Sequence, residues 1–367
     1  WFKFIKEYYP DKIFAEEQYD AETQRLNSLA EGLNCTVRVD RGHTLLNYGD
    51  ILNHGLVWYE NKIDAELEKA PDNAYLAAMK GTLAAVKSLT ERVIGYISEN
   101  KDEYGAEKAE CFTEMLKKVP FYPAESFREA VQSVWIILTP LAENAWYSIS
   151  LGKFDEYMYP FYKASLEKGM TRDEAKKILK NFYELLNSYA DGACLLNIDG
   201  EYNELSELLI ECQKEFSLPA PILGARINDE TPEHIWQSLI DEKLFSMGQP
   251  TFYGESSCIA ALVEKGVSKD KAVQFSNNSC MGIGLPGEDF NSMWGTVFNV
   301  SAALEAAVNC GNVIGRDFHI PNIGKADSIE QLYENLETAV KYLLGICSAL
   351  YEKNAEISEG SIPDPFV

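Results

Sequence analysis

The sequence predicts an α/β fold, with strands inside and helices outside, on two observations. In the second half of the chain, short apolar runs of strand character alternate with helical stretches, the pattern of a sheet layered by helices. The 367 residues are 46% hydrophobic with 20 Tyr, 17 Phe and 6 Trp, enough for a substantial core and too apolar for disorder.

The elements follow in order. The first ninety or so residues read as helical, and Ala74 to Tyr96 is Ala- and Leu-rich with apolar residues at helical spacing. Ser126 to about Asn144 is a helix capped by Ser126, with Glu129 completing a capping box. Thr171 and Glu174 begin the helix to Leu186 in the same way. Lys153 to Glu167 is aromatic and is expected to break at Pro160. Asn197 to Gly200 reads as a turn, Leu205 to Lys214 as a short helix and Ala220 to Ile227 as a strand. Thr231 caps a helix with Pro232 at its first position, expected to run to about Gly248. Thr251 to Tyr253 reads as a buried strand, Ser257 to Lys265 as a helix and Ser268 to Phe275 as a short capped helix. Ser276 to Gly284 is a Gly/Asn/Ser-rich loop holding Cys280. Phe298 to Asn309 and Ser328 to Glu352 close the chain as helices, with the acidic run Glu352 to Glu359 a solvated helix end. No linker composition or internal repeat divides the chain, so residues 1–367 are expected to form a single domain.

Charge and cysteine usage exclude whole classes. With 57 acidic against 33 basic residues the formal charge is −24, which disfavours nucleic acid and anionic membrane surfaces. No stretch of 18 apolar residues exists, so no membrane span is expected. The chain starts at Trp1 and stops at Val367, and truncation at both ends is expected. Eight cysteines lie singly, without CxxC or Cys/His spacing, so no metal site is expected. They read as free thiols of a reducing, cytoplasmic compartment. The four histidines, at 43, 54, 234 and 319, share no motif.

Cys280 has two readings from its residues alone. One is an inert buried thiol, the commoner fate of a free cysteine. The other is a reactive sulfur on a tight loop, beside the polar Asn277, Asn278 and Ser279 and before the turn Gly282, Gly284, Pro286-Gly287. A cysteine sulfur can carry an unpaired electron and abstract hydrogen from an activated C–H bond, provided the pocket is dry.

The order of short motifs favours the second reading. Gly42-His43 with Leu52-Asn-His-Gly55, then Glu143 to Ser150, Gly152 to Asp155 and Tyr159 to Tyr162, resemble successive blocks of the pyruvate formate-lyase domain of glycyl radical enzymes. Asn197 to Ser206, Pro221 to Arg226, Gly248-Gln-Pro250, Gly266 to Phe275 and Asp364-Pro365-Phe366 continue the resemblance in the same order. The resemblance implies part of a ten-stranded α/β barrel, two antiparallel five-stranded halves wrapped by helices. It implies a thiyl radical at Cys280, and a substrate pocket lined by Trp146, Tyr147, Ser148, Asn278, Met281 and Gly282. It implies an anaerobic enzyme without a dissociable cofactor, whose glycyl radical lies outside this sequence and is installed by a radical-SAM activating enzyme. A homodimer acting on a small-molecule substrate is expected, as a lyase or a formate acetyltransferase-like enzyme cleaving a C–C or C–X bond. The alternative is a non-catalytic fragment or split subunit that needs a partner chain for the glycine. An anaerobic ribonucleotide reductase would share the barrel but carries paired cysteines that this sequence lacks.

Three positions depart from the family pattern. Arg92-Val-Ile-Gly-Tyr96 matches the radical-glycine motif, but Gly95 precedes Cys280 by 185 residues and sits in a helical pattern. Position 282, where many members carry a glutamate base, is glycine. Ser279 and Met281 flank Cys280 where an acyl-transferring pair would need a second cysteine. Asp155 and Arg226 read as structural pair-formers rather than substrate clamps.

Overall fold

The strands alternate with helices in the predicted way, and four of the eight described strands build one parallel sheet. The computed structural model describes residues 20–32, 36–37, 43, 45–143, 149–188, 195–278, 282–288 and 296–361. In chain order the described strands are β1 Thr36–Val37, β2 Ser150–Lys153, β3 Leu195–Ile198, β4 Ile222–Ile227, β5 Thr251–Gly254, β6 Ser276–Asn277, β7 Ile283–Gly284 and β8 Thr296–Val297. The chain divides into two units, one on residues 41–291 and the other on residues 5–40 with 292–367.

In the first unit β2, β3, β4 and β5 pair in parallel in sequence order, with Asn197 opposite Gly224 and Arg226 opposite Tyr253. Leu45 adds a parallel bridge to Ser150 and so occupies a fifth position at the edge. Parallel neighbours need crossovers, and helices supply them: Phe154–Glu167 and Arg172–Ser188, then Glu204–Phe216, then Glu233–Leu239 and Glu242–Ser246. Side chains alternate along each strand, so the sheet has two distinct faces. Leu151, Leu196, Ile198, Leu223 and Ala225 face the helices and join Phe127, Phe154, Phe182 and Leu209 in the main core. Ser150, Asn197, Gly224 and Arg226 face the other way.

A smaller apolar cluster of Leu56, Val86, Leu116 and Ile136 joins the helices Leu56–Lys69, Ala74–Glu99, Ala106–Lys118 and Phe127–Glu143. Gly55 fixes the entry to the first of these. Its φ is +76°, and a Cβ there would stand 2.4 Å from the carbonyl oxygen of Phe121.

In the second unit β1 and β8 pair antiparallel. The long helix Ile329–Ser361 packs against Val300–Val308 and Ala21–Gly32. Ala302, Ala303, Ala306 and Ala339 let the backbones approach, and Leu343 and Leu350 fill the remaining space.

The predicted caps form with adjustments. Thr171 and Glu174 make a reciprocal capping box. The Ser126 hydroxyl accepts from the Glu129 amide at 3.2 Å, but the Glu129 carboxylate takes the Glu125 amide. Asparagines cap elsewhere: Asn73 and Asn299 accept from the third amide on, and Asn203 forms a box with Ser206.

Four expectations are corrected. Pro160 lies inside the helix Phe154–Glu167. An interior proline costs about 3 kcal/mol, whereas burying Phe154, Met158 and Phe161 returns about 1.5–3 kcal/mol each. Pro232 is the cap itself, and the helix that follows stops at Leu239; Asp241 caps a second one over Glu242–Ser246. Asn197 is a strand residue rather than part of a turn. The loop from Ser276 to Gly284 is a short hairpin of β6 and β7.

Asp155 sits at the start of the helix after β2 and is fully buried. Its carboxylate accepts from the backbone amide of Asp199 at 2.9 Å and from the Ser206 hydroxyl at 2.5 Å, joining the ends of β2 and β3 to the helix Glu204–Phe216. Burial pushes its pKa up to about 7 against these hydrogen bonds.

Gly55→Ala places its methyl group on the Phe121 carbonyl and should destabilise by about 2–4 kcal/mol in urea unfolding. Gly95→Ala, with nothing within 4 Å of the added carbon, should be neutral or stabilise by up to about 1 kcal/mol. Asp155 is an acid whose folded pKa lies above its unfolded value, so its contribution is complete below about pH 4 and lost as pH rises toward about 7. The melting temperature of the wild type relative to Asp155→Asn should therefore rise between pH 7.5 and pH 5; a constant difference would contradict the assignment.

Candidate active site

The hairpin β6–β7 is the structural feature that isolates a small part of the chain, and it packs on the face of the sheet opposite the helices. β6 lies against β2 and β3. The Ser150 hydroxyl donates to the Asn277 carbonyl at 2.5 Å and in turn accepts from the Gly152 amide at 3.0 Å. The close approach needs glycine beneath it. A Cβ on Gly224 would stand 2.7 Å from Asn197 Oδ1, 3.0 Å from Asn277 Nδ2 and 3.1 Å from the Tyr253 ring. A side chain at 224 would force the Asn197, Asn277 and Tyr253 side chains to shift.

Arg226 anchors the hairpin's base. Its guanidinium is 4% exposed and donates to the carbonyls of Val273 and Phe275, both at 3.1 Å. It stacks on the Phe275 ring at 4.2 Å and pairs with Asp199 at 3.1 Å and with Glu255. A second cation, Lys153, pairs with Glu156 and donates to Gln274 at 3.3 Å. The returning strand is tied by the Gly287 amide, which donates to the Leu45 carbonyl at 2.9 Å. Both ends of the hairpin are thus fixed to the sheet.

At the tip, the Asn278 amide donates to the Gly282 carbonyl at 3.1 Å. Three residues lie between them in the chain, Ser279, Cys280 and Met281. These three lie outside the described residues, as do Trp146, Tyr147 and Ser148. Of the expected pocket, Asn278 is buried at 1% exposure and Gly282 is half-buried. Arg226 and Asp155 are pair-formers, as their sequence reading held. Gly95 is in mid-helix, away from this hairpin's neighbours. Glu288, the carboxylate nearest in sequence, is half-exposed and paired to Lys271 at 2.5 Å, so it is poorly placed to act as a base.

The sequence reading missed one member of this face. Asn197 is fully buried, and neither end of its carboxamide has a hydrogen-bond partner; the Asn278 carboxamide is in the same state. A signal was present, because Leu195-Leu-Asn-Ile198 is an apolar strand interrupted by one amide. Charged residues gather instead on the helical side, where Glu211 is held down to about 2 by hydrogen bonds from Arg172 and Lys176. That network is saturated by its own ion pairs and offers no open group for chemistry. Among the described residues no cluster of His, Cys, Asp and Glu could hold a metal, and no helix is long and apolar enough to cross a membrane.

Comparisons with known proteins converge on one family. The family model described as pyruvate formate lyase-like matches residues 2–367. The isethionate sulfite-lyase of Bilophila wadsworthia is 30% identical over 227 residues, 54% of this chain and 27% of that protein. The trans-4-hydroxy-L-proline dehydratase of Clostridioides difficile is 24% identical over 317 residues, 78% of this chain and 40% of that protein. Among solved structures, one described as 1,2-propanediol dehydration in Roseburia inulinivorans superposes with TM-score 0.77 at 23% identity, covering 96% of this chain and 49% of the other. The B12-independent glycerol dehydratase of Clostridium butyricum superposes with TM-score 0.76 at 21% identity, covering 99% and 51%. The chain spans about half the length of these solved proteins, and less of the curated relatives it matches. With the family model matched along almost the whole sequence, this chain belongs to the pyruvate formate lyase-like family of glycyl radical enzymes.

Proposed function

We propose that this chain supplies the catalytic core of a glycyl radical lyase, in which a thiyl radical on Cys280 abstracts hydrogen from a small organic substrate. The observation that carries the reading is the hairpin: the two strands that flank Cys280 in sequence are clamped to the sheet by Ser150, Arg226 and the Gly287–Leu45 bond. Radical transfer needs such fixation, because hydrogen-atom exchange requires near contact between the exchanging atoms. The parallel strands with Leu45 would form one half of a ten-stranded barrel, and residues 1–367 one domain of the enzyme.

The steps balance without a dissociable cofactor. A glycyl radical, expected outside these residues and installed by a radical-SAM activating enzyme, takes the hydrogen atom of the Cys280 thiol. The sulfur radical then takes a hydrogen atom from substrate carbon, leaving a carbon radical and a thiol. Cleavage of the neighbouring C–C or C–X bond follows, and the product radical recovers the hydrogen from sulfur. Trp146, Tyr147, Ser148, Asn278, Met281 and Gly282 are proposed to line the pocket. Position 282 is glycine and Glu288, the carboxylate nearest Cys280 in sequence, is paired with Lys271, which disfavours base-assisted dehydration. Ser279 and Met281 disfavour the acyl relay of a formate acetyltransferase. The dimeric, anaerobic and cytoplasmic setting of the family is proposed with this reading.

The test uses the full-length protein with its activating enzyme, under anaerobic conditions. Cys280→Ala should leave the glycyl radical signal in electron paramagnetic resonance intact and abolish turnover. Turnover retained by Cys280→Ala would sink the proposal. A complete locus without an Arg-Val-x-Gly-Tyr segment downstream would favour the split-subunit alternative instead.

A further inference from the structure

The inner face of the sheet carries a pair of buried amides that the fold itself does not use. Asn197 is at 0% exposure, on a strand whose other side chains are apolar, and both its Nδ2 and its Oδ1 lack partners. Buried polar groups are normally satisfied, and an unsatisfied one in a native structure calls for an explanation. Sheet pairing does not require the residue, because the backbone of Asn197 pairs in register with Gly224 whatever its side chain. The alternation of β3 settles where the side chain points: Leu196 and Ile198 enter the helical core, and Asn197 enters the space beside the hairpin. There its Oδ1 stands over Gly224, beside Asn277 Nδ2 and the Tyr253 ring. Asn278, at the neck of the loop that contains Cys280, presents a second unpartnered carboxamide at 1% exposure. Ser276 Oγ and Arg226 Nε nearby are also unpartnered, but Asn197 and Asn278 are the residues here whose whole carboxamide is unused, both donor and acceptor.

From this geometry we infer that Asn197 is a substrate-binding residue, whose carboxamide holds an uncharged hydroxyl group of the substrate. This deepens the thiyl reading above and rests on it. A carboxamide offers one acceptor and two donor hydrogens, the complement of a hydroxyl, which both gives and takes a hydrogen bond. An anionic group is best met by a free cation, and among the described residues the cations of this face are committed. Arg226 is held by Asp199, Glu255 and two carbonyls, and Lys153 by Glu156 and Gln274. The subsite therefore selects a hydroxyl-bearing, uncharged moiety over a sulfonate or carboxylate.

The experiment joins stability to binding in the full-length protein, because a ligand-binding amide and a structural one respond in opposite ways. Asn197→Leu, close in shape and without polar atoms, removes two unsatisfied groups and should raise the ligand-free melting temperature by about 2 °C. Titration calorimetry with glycerol as the probe should give binding to the wild type that weakens by about tenfold or more in Asn197→Leu and in Asn197→Ala. Ethanesulfonate, an anionic probe without a hydroxyl, should give no heat that depends on residue 197. A lower melting temperature in Asn197→Leu together with unchanged glycerol binding would assign Asn197 to structure and overturn the inference. So would a wild type that binds ethanesulfonate through Asn197 but not glycerol. Cys280→Ala should bind glycerol as the wild type does. If turnover survives Cys280→Ala, the thiyl reading fails while the Asn197 binding result stands.

Discussion

One buried guanidinium organises the first unit. Arg226 belongs to β4, yet its partners are contributed by three other segments: Asp199 after β3, Glu255 after β5, and the carbonyls of Val273 and Phe275 leading into β6. Burying a charge is costly unless paired and hydrogen-bonded, and the planar fork of arginine meets both demands at once. The geometry converts one residue into a joint between a parallel sheet and the hairpin on its inner face. Lysine, a point charge on a flexible stem, could not hold two carbonyls and two carboxylates in these directions. The sheet's outer face is secured differently, by an apolar core that any well-packed set of large side chains could build. The inner face depends on individual hydrogen bonds.

That asymmetry explains how the two faces are composed. Outward positions include Leu151, Leu196, Ile198, Leu223 and Ala225, while the inward ones include Ser150, Asn197, Gly224 and Arg226 beside the apolar Leu195 and Ile222. All-parallel sheets buried on both faces ordinarily read as continuous apolar runs. Here the second cover is a hairpin, and a hairpin brings backbone carbonyls and amides that need polar partners. Ser150 and Arg226 serve that backbone. Asn197 does not: neither end of its carboxamide meets that backbone.

Much of this was legible in order along the chain. The Thr171–Glu174 box, the strand ending in Arg226 and the helix from Ala74 follow local rules: capping chemistry, turn residues and spacing of apolar side chains. The readings that failed share one cause. Pro160 looks like a breaker until the burial of Phe154, Met158 and Phe161 is counted, and Asn197 looks like a turn until β2 and β4 lie on either side of it. Tertiary burial overrode local preference in both cases.

The sequence by itself determined the alternation of elements, the family resemblance carried by ordered motifs, and the position of Cys280 in a glycine-rich segment after a short helix. Those properties live in residues near one another along the chain. Only the tertiary structure decided that the segment is a hairpin clamped to a parallel sheet, that Arg226 is its anchor, and that Asn197 faces it with an unused amide. Asn197 and Asn278 are 81 positions apart, by difference of their numbers. Their common surface is created by strand pairing and the pleat, which no local pattern encodes.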